Sequence, residues 1–183
     1  MPSKIELCNR ALAHIGSARI ASMEESSAES SACNTFYSAV RQKLLRMHPW
    51  QFAQQTQTLA LSVDVPPDYA CAYEKPAGCL RVVKVFSGSQ EVPFAMRGNK
   101  LLSNHEGVSA CYVADIDDPT QYDSAFCDAF ASLLAAEIAM PLAGSLQIQQ
   151  AMLQRFQADL MAARAYDAGE SSEKRDSIID ARS

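Results

Sequence analysis

No excess of positive charge marks this chain: 16 Lys and Arg stand against 21 Asp and Glu in 183 residues, a formal charge of −5. Proteins that grip nucleic acid neutralise phosphates with clustered Lys and Arg, so the balance argues against a basic nucleic-acid module. No apolar run approaches the ~18–20 residues that cross a bilayer. The opening residues, Met1-Pro2-Ser3-Lys4-Ile5-Glu6, hold no apolar signal region. The expectation is therefore synthesis in a cytoplasm and no membrane partner.

Chelating and nucleophilic motifs are missing as well. There is no Gly-x-Ser-x-Gly elbow, no Gly-x-Gly-x-x-Gly, no phosphate loop and no His-Glu-x-x-His. None of the six cysteines forms a Cys-x-x-Cys pair. Cys8, Cys33 and Cys127 fall at apolar positions of helical patterns, where a reduced thiol behaves as a small hydrophobe. Cys71, Cys79, His105 and Cys111 are the remaining donors for zinc, but Cys71 and Cys79 are farther apart than the ~2–4 intervening residues of a short chelating loop. They define the alternative reading, a cysteine- or zinc-dependent small enzyme. His105, in Ser103-Asn104-His105-Glu106-Gly107, reads as an exposed turn, and Asp115, Asp117 and Asp118 as a solvated one.

What the chain does contain is helical period at both ends. Ser3 and Glu6 form a capping-box pair ahead of Ile5, Cys8, Leu12 and Ile15, with Gly16 at the stop, which predicts a helix over residues 4–15. Ser26 and Glu29 repeat the signal before Cys33, Phe36, Tyr37, Val40, Leu44 and Met47, and Pro49 ends that helix near His48. Helical period returns with Asp123 as cap and Cys127, Phe130, Leu134 and Ile138 on one stripe, until Pro141 and Gly144 interrupt it. A fourth helix carries Ile148, Met152, Phe156 and Leu160, presents glutamines elsewhere, and meets a stop at Gly169.

Between these pairs, Gly78, Gly88, Gly98 and Gly107 punctuate a region whose clearest strands are Leu80–Phe86 and Ala110–Ala114. The chain thus reads as an α+β protein: a four-helix bundle from the N- and C-terminal helices, a small antiparallel β insertion between helices two and three, and a flexible C-terminal tail. The boundaries are 1–55, 56–118, 119–169 and 170–183.

Two features call for structural partners. Glu137 lies among Leu133, Leu134, Ala135, Ala136 and Ile138, where an unpaired carboxylate is costly. Either Arg41 pairs with it or it edges into water. Trp50, the only tryptophan, and Phe52 straddle a helix end and read as anchors of the following segment to the core.

Several separated pieces of this pattern resemble one family. They are Leu7-Cys8-Asn9-Arg10-Ala11-Leu12 with Ile15-Gly16, and Tyr37, Val40-Arg41 and Leu44-Leu45 leading into His48-Pro49-Trp50-Gln51-Phe52-Ala53. Ala72-Tyr73-Glu74-Lys75-Pro76 with Cys79-Leu80-Arg81-Val82 follows, then Tyr112-Val113, Phe126 and Leu134 through Leu142. Together, over residues 4–145, they resemble the head-to-tail adaptors of short-tailed bacteriophages, also called tail tubular protein A or head-completion protein. The resemblance implies a non-enzymatic virion protein of the head–tail neck, made in the host bacterial cytoplasm and without a cofactor. It implies a ring, dodecameric in relatives, that binds the portal above and a tail nozzle or hub protein below. Packaged DNA would pass its lumen without specific binding. It also implies a portal-docking tail with Glu173, Lys174, Arg175, Ile178 and Ile179.

Overall fold

The computed structural model describes residues 2–180, with side chains described as far as Gly169. The chain divides into two compact units, one formed by Met1–Leu44 with Ile116–Ser183 and the other by Leu45–Asp115.

The first unit is helical. In α1 (Lys4–His14) the Ser3 hydroxyl accepts the Glu6 N–H at 3.1 Å, which satisfies one of the free donors of the first turn. Asn9 then ties down the following loop, its Oδ1 accepting from Ile20 N–H at 2.8 Å and its Nδ2 donating to the Ile20 carbonyl at 2.9 Å. The cap of α2 (Ala28–Met47) is Ser27 rather than Ser26, with its Oγ accepting from Ser30 N–H at 3.1 Å. Asp123 caps α3 (Ser124–Ala143) through Ala125 and Phe126, and Gly144, at φ 60, closes it by donating to the Met140 carbonyl. A left-handed residue at this position is cheap only for glycine. Pro141 lies inside the helix rather than ending it. Ser145 caps the last helix, α4 (Leu146–Asp180), accepting from Ile148 N–H at 3.3 Å.

These four helices are not a four-helix bundle, and α3 supplies the physical reason. Every residue from Ala129 to Ala136 is buried, more than two turns, so all sides of this helix are covered. Such a helix is a central rod, whereas a bundle helix buries one stripe and wets the rest. Its Ser132 hydroxyl is satisfied within the helix by the Asp128 carbonyl at 3.1 Å. By contrast, Phe156 and Ala163 are the only buried hydrophobic residues of the described part of α4. The apolar length of α3 was also underestimated from sequence. At 20 residues and a mean hydropathy of 1.5 it is long and apolar enough to cross a bilayer, but 67% of that window is buried inside the protein, as befits a core helix.

Gly169 does not stop α4, which continues to Asp180. The expected flexible tail from residue 170 is therefore helical backbone as far as Asp180, while residues 181–183 lie outside the described residues. Six of the seven glycines take a positive φ, and Gly169 is the exception.

The second unit is larger than a small insertion and has its own core. Its strands are β1 (Gln54–Thr58), β2 (Cys71–Glu74), β3 (Cys79–Ser87), β4 (Gln90–Glu91), β5 (Ala95–Arg97), β6 (Lys100–Ser103) and β7 (Val108–Ala114). One sheet runs β1-β7-β3-β4 and the other β2-β6-β5, all pairings antiparallel. Val85, Val108 and Ala110 of the first sheet share a cluster with Cys71, Tyr73 and Leu101 of the second, joined by Leu59 and Val92. The two sheets therefore bury a common interior. Arg97 pairs with Lys100 across the two-residue turn Gly98-Asn99. Gly98 has φ 57 and Asn99, like every described non-glycine residue, does not take a positive φ, the pattern of a type II′ hairpin turn.

Candidate functional site

The segment that distinguishes this chain by sequence, His48 to Ala53, forms a compact aromatic corner. Proline at position 49 cannot donate to the α2 ladder, so the chain leaves the helix and winds one 3-10 turn over Gln51–Ala53 before entering β1. Trp50 is 1% exposed, with the His48 ring set edge-on at 4.8 Å and the Phe52 ring stacked at 6.3 Å. Ala53 donates to the Trp50 carbonyl at 3.0 Å, and Gln54 Nε2 reaches back to the Pro49 carbonyl at 2.8 Å. Three rings and two local hydrogen bonds fix the direction in which the chain enters the sheet. Trp50 and Phe52 belong to the second unit, Arg41 and Glu137 to the first.

Arg41 and Glu137 are not paired with each other. The Arg41 guanidinium is buried and goes to Asp117, a carboxylate also held by Lys4 Nζ at 2.9 Å. Glu137 is instead bound by Lys43 Nζ at 3.1 Å. The reason is placement. The Glu137 side chain is 34% exposed at the rim of α3, so it meets an exposed lysine of α2 rather than the buried arginine two residues earlier. The expected pairing with Arg41 is therefore corrected to Lys43, while the partial access to water is found. Such half-exposed pairs contribute ~0.2–1 kcal/mol. Asp117 itself carried no local sequence signal, because its partners lie far away along the chain.

One further ion pair joins α1 to α3, and another lies within α4. Arg10 of α1 pairs with Asp128 of α3, and Arg155 of α4 lies 3.6 Å from Asp159. Burial, then Arg155 and Arg10, lower the His14 pKa against the opposing pull of Asp159 and Asp128.

The four donors of the zinc alternative are not gathered. Cys71 lies on the β2-β6-β5 sheet and His105 in the turn after it, whereas Cys79 and Cys111 lie on the other sheet. No group of three His, Cys, Asp or Glu side chains suited to a metal ion occurs among the described residues. Cys111 Sγ instead contacts Gln54 Oε1 at 3.4 Å. A cavity of about 120 Å³ lies among Tyr69, Pro93, Phe94, Asn104 and His105. That is below the ~300 Å³ at which small-molecule pockets begin. In its lining, Asn104 Oδ1 accepts from Ala70 N–H and the His105 carbonyl accepts from the Tyr73 hydroxyl.

All six thiols are unpaired, and only Cys111 is not buried. Burial pushes the Cys127 thiol up to about 11 and raises Cys79 as well. Since the thiolate is the reactive form, a disulfide reagent at pH 8 should label one thiol per folded chain quickly and all six after unfolding. Mass spectrometry should place the fast label on Cys111; rapid labelling of a second cysteine would show that the core opens locally.

Glu173, Lys174, Arg175, Ile178 and Ile179 fall on the last turns of the α4 backbone, and their side chains lie outside the described residues. No protein-family model matches this chain, and no curated protein matches it.

Proposed function

We propose that this chain is a structural protein of a bacteriophage neck, a head-to-tail adaptor that forms a ring under the portal. In this reading the ring extends the DNA channel, helps retain the packaged genome and gives the tail its platform. The observation that carries the reading is the His48-Pro49-Trp50-Gln51-Phe52-Ala53 corner. It is the most distinctive piece of the family resemblance, and its aromatic rings are spent on building the turn out of α2, with Trp50 fully buried. A residue set for catalysis would converge on an accessible cleft. The residues offered by the enzyme alternative are instead divided between two sheets. The charge of −5 also suits a conduit that DNA must traverse without being held.

The test is single-particle imaging of the purified protein mixed with the portal ring of the same virus. A closed ring stacked coaxially on the portal is the expected result. Absence of any association under assembly conditions would remove the adaptor function.

A further inference from the structure

Three sulfur side chains meet inside the helical unit, one from α1, one from α2 and one from the loop that joins them. Cys8 and Cys33 are completely buried, and their thiols share a hydrogen bond. Cys8 Sγ also lies 3.9 Å from Met23 Sδ. The loop is fixed where it brings Met23 in. The Met23 carbonyl accepts from Ser30 Oγ and from Asn34 Nδ2, both at 2.6 Å, and these two residues flank Cys33 along one side of α2. On the other helix Asn9, next to Cys8, clasps the backbone of Ile20, and Ser17 Oγ donates to Glu29 Oε1 at 3.2 Å. The three sulfurs are thus positioned by both helices.

Their spacing and their chemistry suit one kind of ligand. An ion in the plane of three sulfurs, at the usual metal–thiolate length of about 2.3 Å, sets neighbouring sulfurs about 4 Å apart. The 3.9 Å between Cys8 and Met23 meets that requirement. Zinc in a structural site takes four ligands in a tetrahedron, whereas thiolate and thioether together select the softer copper(I). The thiols are also poised to ionise in sequence. Cys8 donates to the Cys33 sulfur, which holds Cys33 below the ordinary thiol pKa against its burial and, with burial, raises Cys8.

A route leads in from solvent. Met23 lines an open hollow of about 510 Å³ with Glu24, Glu25, Ser27, Ser30 and Asn34. Hydrogen bonds from Ser22 to Glu24 and from Ser27 to Glu25 hold both carboxyls below the usual carboxylate range, so this mouth is negatively charged at neutral pH. A cation drawn to it meets the thioether before the thiols.

We propose that Cys8, Met23 and Cys33 bind one copper(I) ion in a trigonal, all-sulfur site entered through the hollow beside Glu24 and Glu25. Three copper–sulfur bonds form, two S–H bonds break and both protons pass to water, with no change in the oxidation state of the ion. The site lies within the helical unit and does not depend on the adaptor reading.

The test is anaerobic titration of the reduced full-length chain with copper(I) against a chromophoric copper(I) chelator. One ion per chain should resist the chelator, and X-ray absorption of that complex should show three sulfur neighbours at about 2.3 Å. Cys8→Ala and Cys33→Ala should each weaken binding at least a hundredfold. Met23→Leu alters a half-buried side chain with little change of volume, so the fold stays intact. It should weaken binding at least fivefold and leave two sulfurs around the ion. Cys111→Ser, at the one thiol that is not buried, should change neither reading. Where a core cysteine variant fails to fold, the sulfur count of the wild type and of Met23→Leu decides. A chain that yields all its copper to the chelator, a wild-type shell of fewer than three sulfurs, or a Met23→Leu shell identical to the wild type would each overturn the proposal. So would loss of the ion in Cys111→Ser, or zinc held as tightly as copper(I).

Discussion

Replacing Trp50 by alanine should destabilise the protein by about 3–5 kcal/mol, the range for emptying a large aromatic site in a core. The side chain is 1% exposed and holds the entry to β1, so the loss combines a cavity with release of the His48 and Phe52 rings that pack against it. Against a typical domain stability of ~5–15 kcal/mol, that leaves little in reserve. Because Trp50 is the only tryptophan, its removal abolishes the tryptophan fluorescence signal, and unfolding by urea is to be followed by circular dichroism. Trp50→Phe keeps an aromatic filler and should cost clearly less. Equal midpoints for Trp50→Ala and the wild type would mean that the corner contributes no stability, and the structural role given to the motif would be wrong.

Much of the helical part was legible in the sequence because its signals are local. Ser3 and Asp123 cap the helices predicted for them, and Pro49 and Gly144 mark the ends of α2 and α3. Such signals depend on side chains within one turn of the backbone groups they serve. Strands without alternation were harder to see. β1, Gln54-Gln55-Thr56-Gln57-Thr58, has no apolar residue at all, since its side chains are largely exposed and the strand is held by its ladder to β7. Gly98 signals a turn, but only the pairing of β5 with β6 shows that the turn joins two strands of a second sheet. Gly169 gave the opposite error. Glycine ends a helix when the chain needs a left-handed residue there, and here the helix simply continues. The partner of Arg41 was hidden for another reason, as Asp117 sits in an acidic run that looks solvated until the fold returns it to α2. Partners across 76 residues leave no periodicity to read.

The contact between Tyr37 of α2 and Phe130 of α3 should respond with opposite signs to two substitutions. Their ring centroids lie 4.9 Å apart, both residues are buried, and the Tyr37 hydroxyl finds no hydrogen-bond partner among the described residues. Burial also pushes the phenol pKa upward, with the neighbouring Tyr122 next in effect, so the group is neutral and uncharged chemistry alone decides its cost. Phe130→Ala removes a fully buried ring from the helix that forms the centre of the unit, and should cost about 3–5 kcal/mol. Tyr37→Phe keeps the ring and deletes only the unsatisfied hydroxyl, whose burial carries a penalty of ~1–3 kcal/mol. That variant should therefore match or exceed the wild type in urea midpoint at unchanged slope. A loss of stability in Tyr37→Phe would show that the hydroxyl has a partner, a bound water being the simplest, and would move the orphan oxygen from a cost of the fold to one of its supports.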